Sequence, residues 1–344
     1  MKLKYPCLKR DITIPAEYVP QVESIKAWLA HQPHIPPLSD EFVYTFLHCN
    51  YYRPERAKDN IDAYFTVRGQ CPELFDNRDV NKLLEQLELY DMAMLPQSTK
   101  EGYQVLLYRL KDTDTSKFNF VEALKTFFAW NDVVISERGI SEGYIVVFDM
   151  NGLSFGHLAR VSVQLQAVKK FMVYIQKCHP VRLKSVQVIN TAPLIDKILA
   201  LVKPFMESDL IQMLQLHTSV DTLKETFSLS ILPKDYGGEA PSTRQLSDQL
   251  KSLMKDSYGK WLKESGQLVA IEKKRVGKPR KEYIGEMEAQ SSTISLAAKQ
   301  VRNQNTEHKT NNNGQSCRPP VVEPVEFWGN LIVMLPLCYV LNSK

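Results

Sequence analysis

Residues 152–156 read Gly-Leu-Ser-Phe-Gly, the spacing of a nucleophile elbow, in which a strand-to-helix turn presents a serine hydroxyl for acyl transfer. The apolar run Tyr144–Asp149 before it and the amphipathic stretch His157–Cys178 after it supply the context that motif demands. Asp196, Asp209 and His217 follow, so a Ser…Asp…His order can be assembled around Ser154. Two features oppose a hydrolase. No His-Gly-Gly segment precedes the serine to stabilise an oxyanion, and the acid and base candidates share one long apolar helical stretch instead of separate post-strand loops. The competing reading of Gly152–Gly156 is a strand-ending turn whose small residues let backbone or ligand approach closely.

A second set of groups is cationic: Lys169, Lys170, Lys177, Arg182, Lys184 and Lys203. Arg182 and Lys184 alternate just before a strand, so they project to one side of an extended segment and could hold a phosphate by charge-assisted hydrogen bonds. There is no Gly-x-Gly-x-x-Gly and no Walker-type loop, hence no support for dinucleotide or ATP binding. No Cys-x-x-Cys and no histidine at metal-ligand spacing is present either.

The elements that must position these groups change character along the chain. Up to about residue 90 it reads as short helices. Val22, Ile25, Ala27, Trp28 and Leu29 mark the first, stopped by the Pro33–Pro37 cluster. Ser39 caps a second through Val43, Phe46 and Leu47, and Pro54 opens a third with Ala57, Ile61, Tyr64 and Phe65 on one stripe. The pattern shifts near Leu95-Pro96. Tyr103–Leu110, Tyr144–Asp149 and Val186–Ile189 are β-rich apolar runs separated by amphipathic Asn119–Arg138 and His157–Cys178, the alternation of βαβ units and a mainly parallel sheet. Phe227–Leu232 is a candidate further strand, and Tyr236-Gly237-Gly238 a sharp turn that closes the domain.

Three segments follow: a small helical bundle over 1–93, an α/β domain over 94–265 and a tail over 266–344. The tail is rich in Asn, Gln, Thr and Lys and has too few apolar residues to fold alone, so it is expected to be mostly disordered. Its end, Phe327–Leu341, is the apolar exception. Interrupted by Pro336, it falls short of the ~18–20 residues that span a bilayer, and it is expected to dock on the body, on a partner or against a membrane.

Over all 344 residues, 44% are apolar and 24% charged, the balance of a soluble globular protein of about two domains. Lys plus Arg (43) exceed Asp plus Glu (39) by only +4, too slight a surplus to imply a nucleic-acid partner. The basic N-terminus has no apolar stretch behind it, so no secretory signal is expected. Six scattered cysteines read as reduced thiols of a cytosolic protein.

Leu194–Leu216 is the most apolar helical stretch. Leu194, Ile195, Ile198, Leu199, Leu201, Val202, Phe205 and Met206 cover well over a usual core-facing stripe, and Pro204 should kink it. In a soluble protein such a helix is either entirely buried or covers something apolar. A movable lid over a lipid cavity, able to lie on a bilayer, has this composition.

Taken together, residues 101–238 resemble the CRAL-TRIO lipid-binding family, in its tocopherol- and retinaldehyde-binding branch. The resemblance rests on Gly143-Tyr-Ile-Val-Val-Phe-Asp-Met-Asn-Gly152 with Ser154-Phe155-Gly156-His157, on His179-Pro-Val-Arg-Leu-Lys184, on Val188-Ile-Asn190-Thr-Ala-Pro193, on Val202-Lys-Pro-Phe205 and on Leu232-Pro-Lys-Asp-Tyr-Gly-Gly238. It implies an α/β domain whose mainly parallel sheet floors a hydrophobic pocket under a helical gate at about 190–213, preceded by an all-α bundle. It recasts Gly152–Gly156 as a non-catalytic Asp-x-x-Gly turn, so no enzyme and no cofactor is expected beyond a bound lipid.

The resemblance also implies which residues meet the lipid. Ile198, Leu199, Val202, Phe205 and Met206 would line the gate, Phe148 and Phe155 the floor, while Gly156, Tyr174 and Val181 align with positions near a cargo's polar end. Arg182 and Lys184, with Lys203, would bind phosphoinositide head groups. His48 and Asn50 replace arginines of the branch, and Asp209 and Met213 stand where it has cations at the end of the gate. A cytoplasmic monomer that binds a hydrophobic small molecule and associates transiently with anionic membranes is the expectation. A phosphoinositide-binding adaptor without cargo and a serine hydrolase at Ser154 are its rivals.

Overall fold

The computed structural model describes residues 12–191 and 194–277, which belong to the compact unit ending at Glu288. Phe327–Leu341 lies outside the described residues.

The helical part holds α1 (Val19–Leu29), α2 (Asp40–Cys49), α3 (Pro54–Gln70), α4 (Pro72–Phe75) and α5 (Val80–Gln86). Local chemistry sets their starts. The Ser39 hydroxyl accepts from the Phe42 N–H at 3.2 Å to begin α2, Pro54 occupies the first turn of α3, and the Asp79 carboxylate accepts from Asn81 N–H at the head of α5. Apolar stripes close the bundle, with the Phe42 and Phe46 rings tilted against each other at 4.8 Å and Tyr64 edge-on to both.

The sheet comprises β1 (Tyr90–Met94), β2 (Tyr103–Leu110), β3 (Gly143–Asp149), β4 (Leu183–Ile189) and β5 (Leu214–Leu216), in sequential order. β1 is antiparallel to β2 and the other pairs are parallel. Between them run α6 (Phe120–Arg138), α7 (Phe155–Ser162) with α8 (Leu165–Val173), and α9 (Ile195–Val202) with α10 (Ser208–Met213). Sequential parallel strands joined by crossovers of one hand place all these helices over one face. The other face, with Val105, Leu107, Ile145, Val147 and Ile189, is closed by α11 (Leu223–Thr226) and the chain from Phe227 to Tyr236. Helices α12 (Thr243–Leu253) and α13 (Gly259–Glu264) complete the unit, α12 beside β1.

Four sequence-based expectations need correction. The boundary at 93/94 falls inside β1, because the sheet starts at Tyr90. Phe227–Leu232 is not a strand: the Ile231 N–H turns back to the Ser228 carbonyl, and its apolar side chains cover the sheet without extending it. Leu194–Leu216 is not one kinked helix. Pro204 lacks the N–H to continue α9, a 3₁₀ turn (Lys203–Phe205) follows, then α10, and Leu214–Leu216 pairs with β4. The tail does not begin at 266, since residues 268–275 pack on the bundle. Ala270 N–H donates to the Phe65 carbonyl and Ile271 N–H to that of His34, and the Arg275 guanidinium grips Asp62 at 2.9 and 3.1 Å.

Candidate functional site

The register of the parallel strands lines up an apolar floor under the crossover helices: Leu106 and Tyr108 on β2, Val146 and Phe148 on β3, Val186 and Val188 on β4, Leu214 and Leu216 on β5. Towards β2 this floor is sealed, for Tyr108 packs against Phe127, Trp130 and Phe148 with ring centres 4.8–5.1 Å apart. Towards β4 it is not. Val146 and Phe148 belong to a central strand yet remain only half-buried, as do Val186 and Leu214, whereas Ile145 and Val147 on the opposite face are buried. Apolar side chains at the middle of a sheet are left accessible only where the layer above does not pack onto them.

The parallel crossover from β4 to β5 carries α9, which packs beside α8. Ile195, Ile198, Leu199, Leu201 and Val202 are all half-buried, and none of its residues is fully buried. Phe205 and Met206 continue the half-buried stripe, and on α10 Leu210 alone is buried. Polar ties hold this segment at its ends. The Lys197 ammonium sits 4.4 Å from the centre of the Phe155 ring, and the Gln176 amide bonds the backbone at Phe205 and Glu207. A groove of about 590 Å3 lies elsewhere, beside α12, but Lys234, Glu239, Gln245 and Asp248 make its walls polar.

The strand ends below the gate are braced by Asp149. Its buried carboxylate accepts from Tyr236 Oη (2.6 Å), from Asn190 Nδ2 (2.7 Å) and from the backbone N–H of Asn151 (2.9 Å), which tightens the turn that Gly152 completes at φ +81°. Ser154 then caps α7. Nδ1 of His157 accepts from the Ser154 backbone N–H (3.2 Å) and lies 2.9 Å from its hydroxyl, a capping box at the head of the helix. The remaining ring nitrogen of His157 is buried with no carboxylate to orient it, Phe118 stands edge-on to the ring, and burial, then Arg160, holds its pKa low. His217 instead bonds Gln187 at 2.6 Å between β4 and β5, while Asp196 and Asp209 are exposed on the gate. The elbow pattern is thus a braced strand–helix turn, and its residues do not assemble a triad.

The other residues singled out by sequence are dispersed. Phe155 is 56% exposed at the start of α7 and forms a rim against the gate instead of the floor. Gly156 is exposed beside Thr115, whose methyl a Cβ would meet at 2.8 Å. Tyr174 is buried away from the gate, where its hydroxyl accepts from Arg68 at 3.1 Å among Phe75 and Phe128. Val181 lines an enclosed space of about 10 Å3 with His48 and Tyr144, room for about one water and not for a lipid.

Arg182 and Lys184 do project to one side, and both meet Tyr51. The Arg182 guanidinium lies 4.6 Å from that ring and 5.3 Å from Tyr52, donates to the His48 carbonyl at 2.8 Å and reaches Glu142 at 3.3 Å. Lys184 stands 3.4 Å from the Tyr51 hydroxyl. Tyr51 and Tyr52 reach these positions through left-handed backbone, φ 54° and 60°, that bulky residues rarely adopt. Burial, then Arg182 and Lys184, pushes the pKa of His48 down to about 4, so it adds no charge at neutral pH where the branch has an arginine. Asn50 bonds Asn60 at 3.1 Å, Met213 is half-buried, and Lys203 is exposed on the gate. Sequence reasoning missed Gln176, for which no motif signals a role, and β5, hidden at the end of an apolar helical run.

Comparison with known proteins agrees with this architecture. Residues 90–238 match the CRAL/TRIO domain and residues 14–83 the Pinta-like UBA domain. The alpha-tocopherol transfer protein-like proteins of Homo sapiens, Pongo abelii and Mus musculus are each 27% identical to the chain over 205 residues, 59% of this chain and 59% of theirs. The solved structure of Sfh5 aligns with 83% of this chain and 100% of its own at 13% identity and a TM-score of 0.42. The segment that matches the CRAL/TRIO domain begins at the first strand of the sheet and ends on the Gly237-Gly238 turn that closes it, so the likeness spans all five strands.

Proposed function

We propose that the protein binds one apolar lipid between α9 and the β3–β5 floor and carries it between membranes without chemical conversion. One observation carries this reading: Val146, Phe148 and Val186 are only half-buried at mid-sheet, and α9, in the crossover between β4 and β5, fully buries none of its own apolar side chains. Each Leu, Val or Ile left half-buried forgoes part of the ~1.5–3 kcal/mol that full burial gives, a deficit that an apolar guest would repair. The guest gains as well, since several hundred Å2 of wet hydrocarbon costs on the order of 10 kcal/mol. The names of the alpha-tocopherol transfer protein-like relatives support a tocopherol-like cargo, and a lipid with a compact ring would meet the half-buried Phe148. The capping role of Ser154 and His157 supports a non-enzymatic protein.

Release occurs at the cytoplasmic face of a membrane, where α9 exchanges protein contacts for acyl chains. Phosphoinositide head groups are drawn by exposed Lys203 and by Lys184, at about 1 kcal/mol per cation near an anionic surface. Arg182, already spent on Glu142 and the His48 carbonyl, contributes after Tyr51 moves aside. No helix among the described residues is long and apolar enough to cross a membrane. The test is Val202→Asp, which puts a charge in the lining of the gate. Native mass spectrometry with organic extraction should find lipid on the wild type and none on the variant, whose thermal stability should equal that of the lipid-extracted wild type. Equal lipid on both, or none on either, would overturn the proposal.

A further inference from the structure

The gate gains little from apolar burial, so something else must set its resting position. At its C-terminal end the backbone passes from the 3₁₀ turn through two extended residues, Met206 (φ −93°, ψ 133°) and Glu207 (φ −77°, ψ 157°), into α10. Extended residues between two helical segments form a natural hinge. One side chain grips this hinge on both sides of Met206. Gln176 Nε2 donates to the Phe205 carbonyl at 3.0 Å, and Gln176 Oε1 accepts from the Glu207 N–H at 2.6 Å. The same Nε2 donates to the Met172 carbonyl at 2.9 Å, which anchors the amide to α8, and Lys177 adds an ion pair to Glu207 at 3.3 Å. Gln176 lies in a single wide turn of π-type helix, Tyr174–Cys178, a distortion often found at functional sites.

We propose that Gln176 is the latch of the gate: a positioning residue that holds the Phe205–Glu207 hinge in its resting state and thereby limits how fast cargo leaves. The idea rests on the lipid-carrier reading of the same site, yet the latch itself can be measured without cargo. Its two hinge bonds are ordinary amide hydrogen bonds, and losing both should raise the open population ~10–100-fold.

Gln176→Met keeps the side-chain length and removes both bonds. Glu207→Pro approaches from the other partner, because the φ of Glu207 and the extended Met206 before it both suit proline, and it removes the N–H donor along with the Lys177 ion pair. Amide hydrogen exchange of the full chain is the readout. With Gln176→Met, or with Glu207→Pro should the first fail to fold, amides of Ile195–Met213 should exchange at least tenfold faster while those of β3 keep their wild-type rates. Wild-type rates in the gate, or equal acceleration in β3, would overturn the latch. Transfer of a fluorescent nitrobenzoxadiazole-labelled tocopherol between phosphatidylcholine vesicles separates the two proposals. A wild type that never takes up the probe, with a gate that still loosens in the variant, sinks the carrier reading alone. Uptake by wild type with unaltered gate exchange sinks the latch alone.

Discussion

Helix α3 and helix α9 invert what their compositions suggest. Helix α3 reads Pro-Glu-Arg-Ala-Lys-Asp-Asn-Ile and is polar through its first half, yet its eight successive residues Ile61–Arg68 are all buried. In α9, six of eight residues are apolar and not one is fully buried. The seam around α3 is closed by specific polar partners: Arg68 and Arg78 converge on Asp132, at 3.3 and 2.6 Å, within a shell of Tyr174, Phe75 and Phe128. Stability is concentrated where the bundle meets the sheet domain, and the gate is left loosely packed. Apolarity therefore marks the loosely packed part of this protein, and buried charge marks the tightly packed one.

The strongest way to break that contrast is at Asp132. It is the counter-charge of two guanidinium groups whose side chains are fully buried. Asp132→Ala would remove the carboxylate on which both converge, and removing one partner of a buried ion pair typically costs about 3–5 kcal/mol. Urea denaturation should show that loss. A change under about 1 kcal/mol would mean that the seam does not carry the fold.

A smaller effect comes from protons. His48 and His179 flank the same seam, and burial is the main cause that pushes the pKa of each from 6.5 down to about 4. The unfolded chain therefore binds more protons than the folded one between those values, so stability is full above pH 6.5 and falls as the pH drops towards 4. The slope is at most about 1.4 kcal/mol per pH unit for each site. Unfolding free energies from urea curves should decline by about 2–3 kcal/mol from pH 7 to 5.5, and replacing His48 with Gln should roughly halve the decline. A midpoint independent of pH over that range would place both rings in water.

Sequence alone made the three long strands and the Asp149 turn legible, because each carries its signal locally: alternation or continuous apolarity, and an Asp-x-x-Gly spacing. What escaped depends on partners far along the chain. β1, Tyr-Asp-Met-Ala-Met, reads as no strand until Asp91 finds Arg109 at 2.9 Å on β2. Arg182 reads as a solvated cation and is instead buried under phenol rings more than a hundred residues away. The strap at 268–275 is polar enough to read as tail, and what orders it is Asp62, a carboxylate that also bonds His34 at 3.0 Å. Phe155 and Tyr174 show a related limit: periodicity marks both as apolar positions on amphipathic helices, but not which neighbour each helix face will meet.

The smallest effect is the sharpest test, because it makes the same substitution in both regions. Leu47 lies on α2 with no accessible surface, and Leu199 lies half-buried on α9. Leu47→Ala should cost about 2–5 kcal/mol, the range for a truncated core leucine whose cavity cannot collapse. Leu199→Ala in lipid-free protein should cost under about 1 kcal/mol, since it removes a side chain that has few partners to lose. The sign of the argument reverses when cargo is present. A lipid that fills the space beneath α9 gives Leu199 the contacts it lacks, so extracted and reloaded protein should show a larger penalty for Leu199→Ala than the empty form, measured by thermal unfolding of each. Equal penalties with and without lipid would mean that the guest does not sit under the gate, and a penalty for Leu199→Ala as large as that for Leu47→Ala in the empty protein would mean that α9 is ordinary core.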